Sequence, residues 1–218
     1  MRVSVIIPSL NEAAFIGATI ESAFAAGAAE VIVVDGGSED ATIDIARDRG
    51  ARLITGERIR ARQLNRGAEA ASHEALIFLH ADTLLPAGAA EAVSTALASN
   101  VFGGFRVRFI ERTLGLRWTE LAINTRTHFS RCPWGDQAQF IRRATFPGFR
   151  EIPIMEDYEM AIRMKRIGPT TILPLAVRTS GRRFLQNGLF RTSAMNWWII
   201  LNYRRGVDPE KLAQWYRG

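Results

Sequence analysis

Four short polar clusters in this 218-residue chain carry residue types from which a phosphate- or metal-handling site can be built. The first is His80-Ala81-Asp82, which ends the apolar run Leu76-Ile77-Phe78-Leu79. An extended chain would put His80 and Asp82 on one side, because residues two apart in a strand share a face. A hard carboxylate oxygen there suits Mg²⁺ or Mn²⁺, bound partly through substrate phosphates. A helix N-cap is the alternative role for Asp82, since Pro86 and a helical pattern follow. The second cluster, Asp35-Gly36-Gly37-Ser38, follows the apolar run at 31–34. Its glycines allow a tight turn and close approach to a ligand, and Asp35 can accept from a ring N–H or a ribose hydroxyl. A plain strand-to-helix turn would read the same way. The third, Glu156-Asp157, stands at a helix start, where the dipole favours carboxylates. Its chemical reading is a general base for a hydroxyl nucleophile. The fourth, Arg182-Arg183 after Ser180-Gly181, would clamp phosphates or remain a solvated surface pair.

The elements that must position these clusters follow from the spacing of apolar residues. Residues 3–7 read as a strand that Pro8 stops, because proline cannot donate to a ladder. A helix follows through 26, with Asn11 as its N-cap. Further strands at 31–34, 52–54 and 75–79 alternate with helices at about 42–49 and 59–72. Four such alternations with short connections predict an α/β fold whose doubly wound sheet is mainly parallel. Ligands bind such sheets at the carboxyl ends of the strands, so Asn11, Asp35 and Asp82 are expected to converge. The second half reads as mixed, with strands at 105–109 and 171–177 and a loop at 135–141 that enters a strand. Helices are expected at 87–99, 112–129, from 156 to Gly168-Pro169, at 186–203 and at 208–217, the last opened by Asp208-Pro209. In the 105–109 strand, Arg106 and Arg108 should face away from Phe105, Val107 and Phe109. The expected organisation is one domain over 1–218: a nucleotide-binding half at 1–100, an acceptor-binding half at 101–185, and terminal helices at 186–218.

Composition narrows the class. With 47% hydrophobic and 23% charged residues the chain is an ordinary globular one, and no run approaches the ~18 apolar residues of a membrane span. A single cysteine, Cys132, excludes an internal disulfide, and no secretory leader pattern is present, so a cytoplasmic location is expected. Residues 1–100 carry a net charge of −5 and residues 101–218 carry +11, nearly all of it from arginine. That asymmetry suits an anionic ligand, an anionic membrane surface, or both. Neither a Gly-x-Gly-x-x-Gly nor a Gly-x-x-x-x-Gly-Lys-Ser/Thr pattern occurs, which excludes a dinucleotide fold and a phosphate-loop NTPase.

Taken together, Ser4-Val5-Ile6-Ile7-Pro8-Ser9-Leu10-Asn11-Glu12, Val31-Ile32-Val33-Val34-Asp35-Gly36-Gly37-Ser38, Leu79-His80-Ala81-Asp82-Thr83 and Met155-Glu156-Asp157-Tyr158-Glu159, in this order, closely resemble the family 2 glycosyltransferases of GT-A fold. The tail at 179–184 with Gly188 resembles the small cytoplasmic subgroup found beside radical-SAM and arsenosugar-type clusters. The resemblance implies an inverting transfer of a sugar from a nucleoside-diphosphate donor to an acceptor hydroxyl on a small molecule or lipid. Pro8, Asn11 and Glu12 would frame the nucleotide pocket and Asp35 would hold the base, with Arg62 and Asn65 on the nucleotide side. Asp82 matches the last Asp of an Asp-x-Asp metal motif, so Mg²⁺ or Mn²⁺ is the implied cofactor. Asp157, beside Glu156, matches the base, and Arg182 and Arg183 match the basic group that holds the leaving diphosphate. His80 departs from the motif, since an Asp stands there in the family. A neutral imidazole lowers the negative charge offered to a hard cation.

Two rival classes differ in specific features. A sugar-phosphate nucleotidyltransferase would carry a Gly-rich basic loop after the first strand, and here that loop is Pro8-Ser9-Leu10-Asn11-Glu12. A nucleotide-binding or membrane-docking module without transferase activity would rely on 184–205, where Trp197-Trp198-Ile199-Ile200-Leu201 is flanked by arginines. That segment either packs on the core or lies peripherally on the inner membrane face. No recognisable nucleic-acid motif is present.

Overall fold

The apolar runs form the buried parallel centre of an eight-stranded sheet in the computed structural model, which describes residues 1–217. The elements run β1 Val3–Ser9, α1 Ile16–Ala25, β2 Glu30–Asp35, α2 Thr42–Asp48, β3 Arg52–Thr55, α3 Arg60–Ala70 and β4 Ala75–Phe78. They continue as β5 Thr83–Leu84, α4 Ala89–Ala96, β6 Phe102–Phe109, α5 Leu114–Ser130, β7 Gln139–Arg142, α6 Glu156–Ile167 and β8 Thr170–Thr179. Three helices close the chain: α7 Arg182–Asn187, α8 Leu189–Arg204 and α9 Pro209–Arg217. The strand order is β3-β2-β1-β4-β7-β6-β8-β5. The first four strands are parallel, while β7 runs antiparallel to β4 and β6.

Successive residues of β1 point to opposite faces, and both faces are covered. Val3, Val5 and Ile7 join Val31, Val33 and Ile77 beneath α1, α2 and α4. Ile6 joins Ile32, Val34, Leu76 and Phe78 beneath α3 and α6. Each such side chain contributes roughly 1.5–3 kcal/mol by leaving water. Burial on both faces is why these strands read as unbroken apolar runs rather than alternating ones.

Several expectations need correcting. Pro8 lies within β1 and pairs with Val34 instead of ending the strand. Alternation along β1 turns its missing N–H toward β4, which has already ended at Phe78 opposite Ile6, so no ladder bond is lost. Asn11 is not a helix cap: its φ is 54°, and α1 starts only at Ile16. The helix expected at 186–203 is two helices, α7 and α8, broken at Gly188, whose φ of 84° suits glycine. Strand β8 extends past its expected ends and tolerates Pro174 because the β6–β8 register slips by a bulge between Phe105 and Arg106. Arg106 and Arg108 do face solvent, opposite Phe105, Val107 and Phe109.

Candidate active site

Just beyond β4 the chain does not stay extended. The Thr83 N–H donates to the His80 carbonyl at 3.2 Å, so His80-Ala81-Asp82 forms a tight turn, and the shared strand face expected for His80 and Asp82 does not exist. The turn is fixed from β8: Thr83 pairs with Thr179, their hydroxyls are 2.7 Å apart, and the Ser180 N–H donates to the Asp82 carbonyl. This short pairing delivers Arg182, the first residue of α7, to the carboxylates. Arg182 donates to Glu12 Oε1 at 2.7 Å, lies 3.3 Å from Asp82 Oδ2 and stacks on Phe15. Glu111 holds the same turn by accepting from the Ser180 hydroxyl and the Gly181 N–H.

Asp82 is half-buried, and burial pushes its carboxyl above the usual range while Arg182 pulls it back. His80 is held well below the usual imidazole range by burial and by the neighbouring Arg60 and Arg182 cations. Its Nε2 meets the Arg60 guanidinium, which can only donate, so the neutral ring carries its proton on Nδ1. Arg60 also pairs with Glu156 at 3.1 Å. Burial raises the Glu156 carboxyl, and Arg60 opposes that shift.

Asp157 lies in the first turn of α6, after Met155 in a left-handed conformation at φ 72°. Its Oδ2 accepts from the Gly135 N–H at 2.5 Å and its Oδ1 from the Tyr158 N–H at 2.6 Å. Gly135 is the point where the halves meet. A Cβ there would stand 2.7 Å from His80 Nε2 and 2.9 Å from both Arg60 and Asp157 Oδ2. Only glycine lets the imidazole from β4 and the carboxylate from α6 approach this closely.

The remaining expected residues divide. Asp35 is buried and accepts from the Gly37 N–H at 2.8 Å, the Ser38 N–H at 2.7 Å and the hydroxyls of Ser9 and Ser38. Asn11 is tied to that loop, its N–H donating to Ser38 and its side-chain oxygen accepting from Glu39. Pro8 and Glu12 flank it, and Glu12 reaches the centre through Arg182. Arg183 lies against Tyr216 of α9 and lines the same cavity as Asp82. Arg62 and Asn65, like Pro8, Asn11, Glu12 and Asp35, do not line it. Arg62 is exposed and held by Glu57 and Glu151, and Asn65 is spent on the Phe149 backbone. Helix phase explains this: Arg62 lies on the opposite side of α3 from buried Leu64, whereas Arg60, one turn before Leu64, points inward.

Sequence reasoning passed over Arg60, Gly135, Asp136 and Arg126. All line or abut one cavity of about 990 Å³ that also holds Asp82, Asp157, Arg182 and Arg183. Asp136 follows Gly135, and its Oδ1 is buried without a hydrogen-bond partner. Burial pushes its carboxyl up to about 6, against the pull of Arg126. The available signal was the polar run Gly135-Asp136-Gln137-Ala138-Gln139 entering a strand, where Gln137 and Gln139 are both buried and bonded to backbone carbonyls.

As for a divalent cation, no group of three or more His, Cys, Asp or Glu is arranged around one point among the described residues. Mg²⁺ needs only one or two carboxylates when phosphates complete its shell. Asp82 beside Glu12, whose Oε2 is buried and unpartnered, is a donor set of that kind.

The model of the family described as "Glycosyl transferase family 2" matches residues 4–163 of the chain, the stretch holding all of these carboxylates. The chain belongs to glycosyl transferase family 2. Relatives in this family include a PGL/p-HBAD biosynthesis glycosyltransferase of Mycobacterium bovis and its counterpart in Mycobacterium tuberculosis. Each is 32% identical over 73% of this chain and 68% of its own length. Among solved structures, Staphylococcus aureus TarS 1–349 superposes with a TM-score of 0.63 at 17% identity, covering 83% of this chain and 60% of that one. Glucosyl-3-phosphoglycerate synthase from M. tuberculosis, solved with Mg²⁺ and UDP, gives 0.59 at 21% identity over 82% of this chain and 70% of its own. The same enzyme has also been solved with Mn²⁺ and UDP-glucose. The fold is that of these GT-A enzymes, and this family 2 member is a nucleotide-sugar glycosyltransferase.

Proposed function

We propose that the chain transfers a sugar with inversion, in a single displacement, from a nucleoside-diphosphate sugar to an acceptor hydroxyl. The observation that carries this reading is the meeting of the β4 turn and the start of α6 at Gly135. It puts Asp157, which lines the cavity, close to His80 of the turn that carries Asp82. Asp157 takes the acceptor's proton as the acceptor oxygen bonds to the anomeric carbon. The bond from that carbon to the diphosphate breaks with its electron pair leaving on phosphate oxygen. Arg182, already seated between Glu12 and Asp82, neutralises that charge, and Arg183 stands one residue on. Asp82, with Glu12 near, would hold Mg²⁺ or Mn²⁺, which supplies Lewis-acid stabilisation of the departing diphosphate. Glu156 keeps Arg60 in place, and Arg60 keeps His80 neutral and oriented. Pro8, Asn11, Glu12 and Asp35 form the nucleotide end, where a base N–H would share Asp35 with the Ser38 hydroxyl.

The tail at 179–184 with Gly188 supports placing the chain in the subgroup found beside radical-SAM and arsenosugar-type clusters. No helix among the described residues is long and apolar enough to cross a membrane. Peripheral contact through 184–205 is supported by Phe190, Trp197, Trp198 and Leu201, which are exposed beside Arg191, Arg204 and Arg205.

The deciding experiment pairs Asp157→Asn with a nucleotide-binding measurement. Transfer should fall by about 10²–10⁴-fold while binding of the nucleoside diphosphate is kept, and product from the wild type should show inverted anomeric configuration by NMR. Near-normal transfer by the variant would remove Asp157 from the base role.

A further inference from the structure

The cavity reaches well beyond the charged centre. Its inner end carries Asp82, Arg60, Asp136, Asp157 and Arg182, and its outer walls come from α5, α8 and α9. Those walls are mostly apolar, with Trp118 and Ile123 from α5 and Leu189, Phe190, Trp197 and Ile200 from α8, between Thr119, Ser193 and Asn196. Trp118, Phe190 and Trp197 line the cavity yet are 71%, 92% and 59% exposed, so they form its mouth. At about 990 Å³ it lies at the upper end of ordinary ligand pockets of roughly 300–1,000 Å³. The nucleotide end proposed above, at Pro8, Asn11 and Asp35, lies outside this cavity, so the aromatic and aliphatic sleeve is left to another ligand. Four buried side-chain atoms without a hydrogen-bond partner belong to residues that line the cavity: Asp136 Oδ1, Thr192 Oγ1 and the Nε atoms of Arg60 and Arg126. Leaving such groups unpaired costs about 1–3 kcal/mol each, which a hydroxyl ligand would recover.

We infer that the acceptor is an alcohol carried on an extended apolar body, which enters between α5 and α8 and presents its hydroxyl to Asp136 beside Asp157. This rests on the transferase reading above and deepens it by naming the acceptor's class. Asp136 is the contact that orients the hydroxyl, and Asp157 remains the group that removes its proton. The apolar sleeve holds the body.

The test titrates the protein with n-alkanols from butanol to decanol, reading tryptophan fluorescence, since Trp118, Trp134 and Trp197 line the cavity. Affinity should rise about three- to fourfold per methylene, as about 0.8 kcal/mol per buried CH₂ requires. Filling the cavity from either wall, with Ser193→Phe on α8 or Ala122→Phe on α5, should flatten that slope. Either variant serves if the other fails to fold. Asp136→Asn should leave the slope intact but erase the preference for decanol over its methyl ether, an outcome that mere loss of structure would not give. A slope of zero, or one unchanged by both filling variants, overturns the inference. A thermal-shift titration with UDP and GDP, with and without Mn²⁺, runs in parallel. Absence of nucleotide binding with a normal alkanol slope would strike the transferase reading alone, and the reverse would strike only the acceptor class.

Discussion

Asp35 and Asp136 are both loop carboxylates beside a sheet edge, one in each half of the molecule, and they meet opposite surroundings. Asp35 accepts two backbone N–H groups and two hydroxyls, so its charge is fully compensated before any ligand arrives. Asp136 has an unpartnered buried oxygen and a carboxyl pushed up to about 6. The same contrast runs through the two halves. In the first half the side chains of Asn11, Asp35, Ser38 and Asp40 accept the N–H groups of Glu39, Ser38, Asn11 and Ala13 and tie the two loops together. In the second half Trp118, Phe190 and Trp197 face outward at the cavity mouth, and buried Asp136 Oδ1 and Thr192 Oγ1 have no partner. In one half the loop carboxylate is compensated within the fold, and in the other a buried carboxylate oxygen is left without a partner.

Identical substitutions should therefore have opposite signs in the two halves, and the larger effect lies at Asp35. An asparagine there keeps one acceptor oxygen but turns an amide nitrogen toward N–H donors. Charge-assisted bonds of this kind are worth about 1.5–3 kcal/mol. Asp35→Asn is expected to lower unfolding stability by about 3 kcal/mol in urea titrations at pH 7, and to weaken nucleotide binding with it. A loss under about 0.5 kcal/mol would mean that the loop is held without the carboxylate.

At Asp136 the same change should stabilise. Its folded-state value of about 6 lies above the ordinary 3.8, so the neutral form is the favoured one in the native protein. Full stability is present below about pH 4 and is lost as pH rises to about 6. Asp136→Asn removes that loss, with a gain on the order of 2 kcal/mol at pH 8 that vanishes near pH 4. Thermal melts of both proteins across this range would check it, and a gain that does not depend on pH would place the cause elsewhere than in the buried charge.

How much of this was legible in the sequence follows the same division. Parallel strands buried on both faces leave continuous apolar runs, so β1, β2 and β4 and the polar residues at their ends could be read directly. Local geometry could not: Pro8 survives in β1 only because β4 stops short of it, a fact of register that no single segment contains. The turn at His80-Ala81-Asp82 depends on pairing with Thr179, nearly a hundred residues away. Arg62 is named from the resemblance and Arg60 is not considered, although the helical phase set by Leu64 points Arg60 inward. Asp136 lies in a segment with no period, and its importance comes from burial against Arg126 and Asp157, which spacing does not report. Helix α5 is hard to read because most of its apolar residues do not mark a core. Leu114, Trp118 and Leu121 fit a helical pattern, yet all three are exposed.

Exposure of apolar residues in the terminal helices gives the smallest expected effect on stability. In α8, Ile199 and Ile200 are buried while the adjacent Trp197 and Trp198 are about half exposed, so the run that looked uniform in sequence is split between core and surface. Phe190 is 92% exposed and follows Gly188 by two residues. Replacing an exposed side chain of this kind usually changes stability by no more than about 0.5 kcal/mol. Phe190→Ser combined with Trp198→Ser should thus leave the melting temperature nearly unchanged. An aromatic face flanked by Arg191, Arg204 and Arg205 has the composition of an interfacial helix, in which apolar insertion and attraction to anionic lipid act together. The wild type should float with phosphatidylserine-containing vesicles at low salt and separate from them at high salt, because the arginine contribution is screened within a Debye length of ~10 Å at 0.1 M. The double variant should bind poorly at both. Flotation equal to wild type would assign Phe190 to the mouth of the cavity alone, and failure of the wild type to float would remove this face from membrane contact.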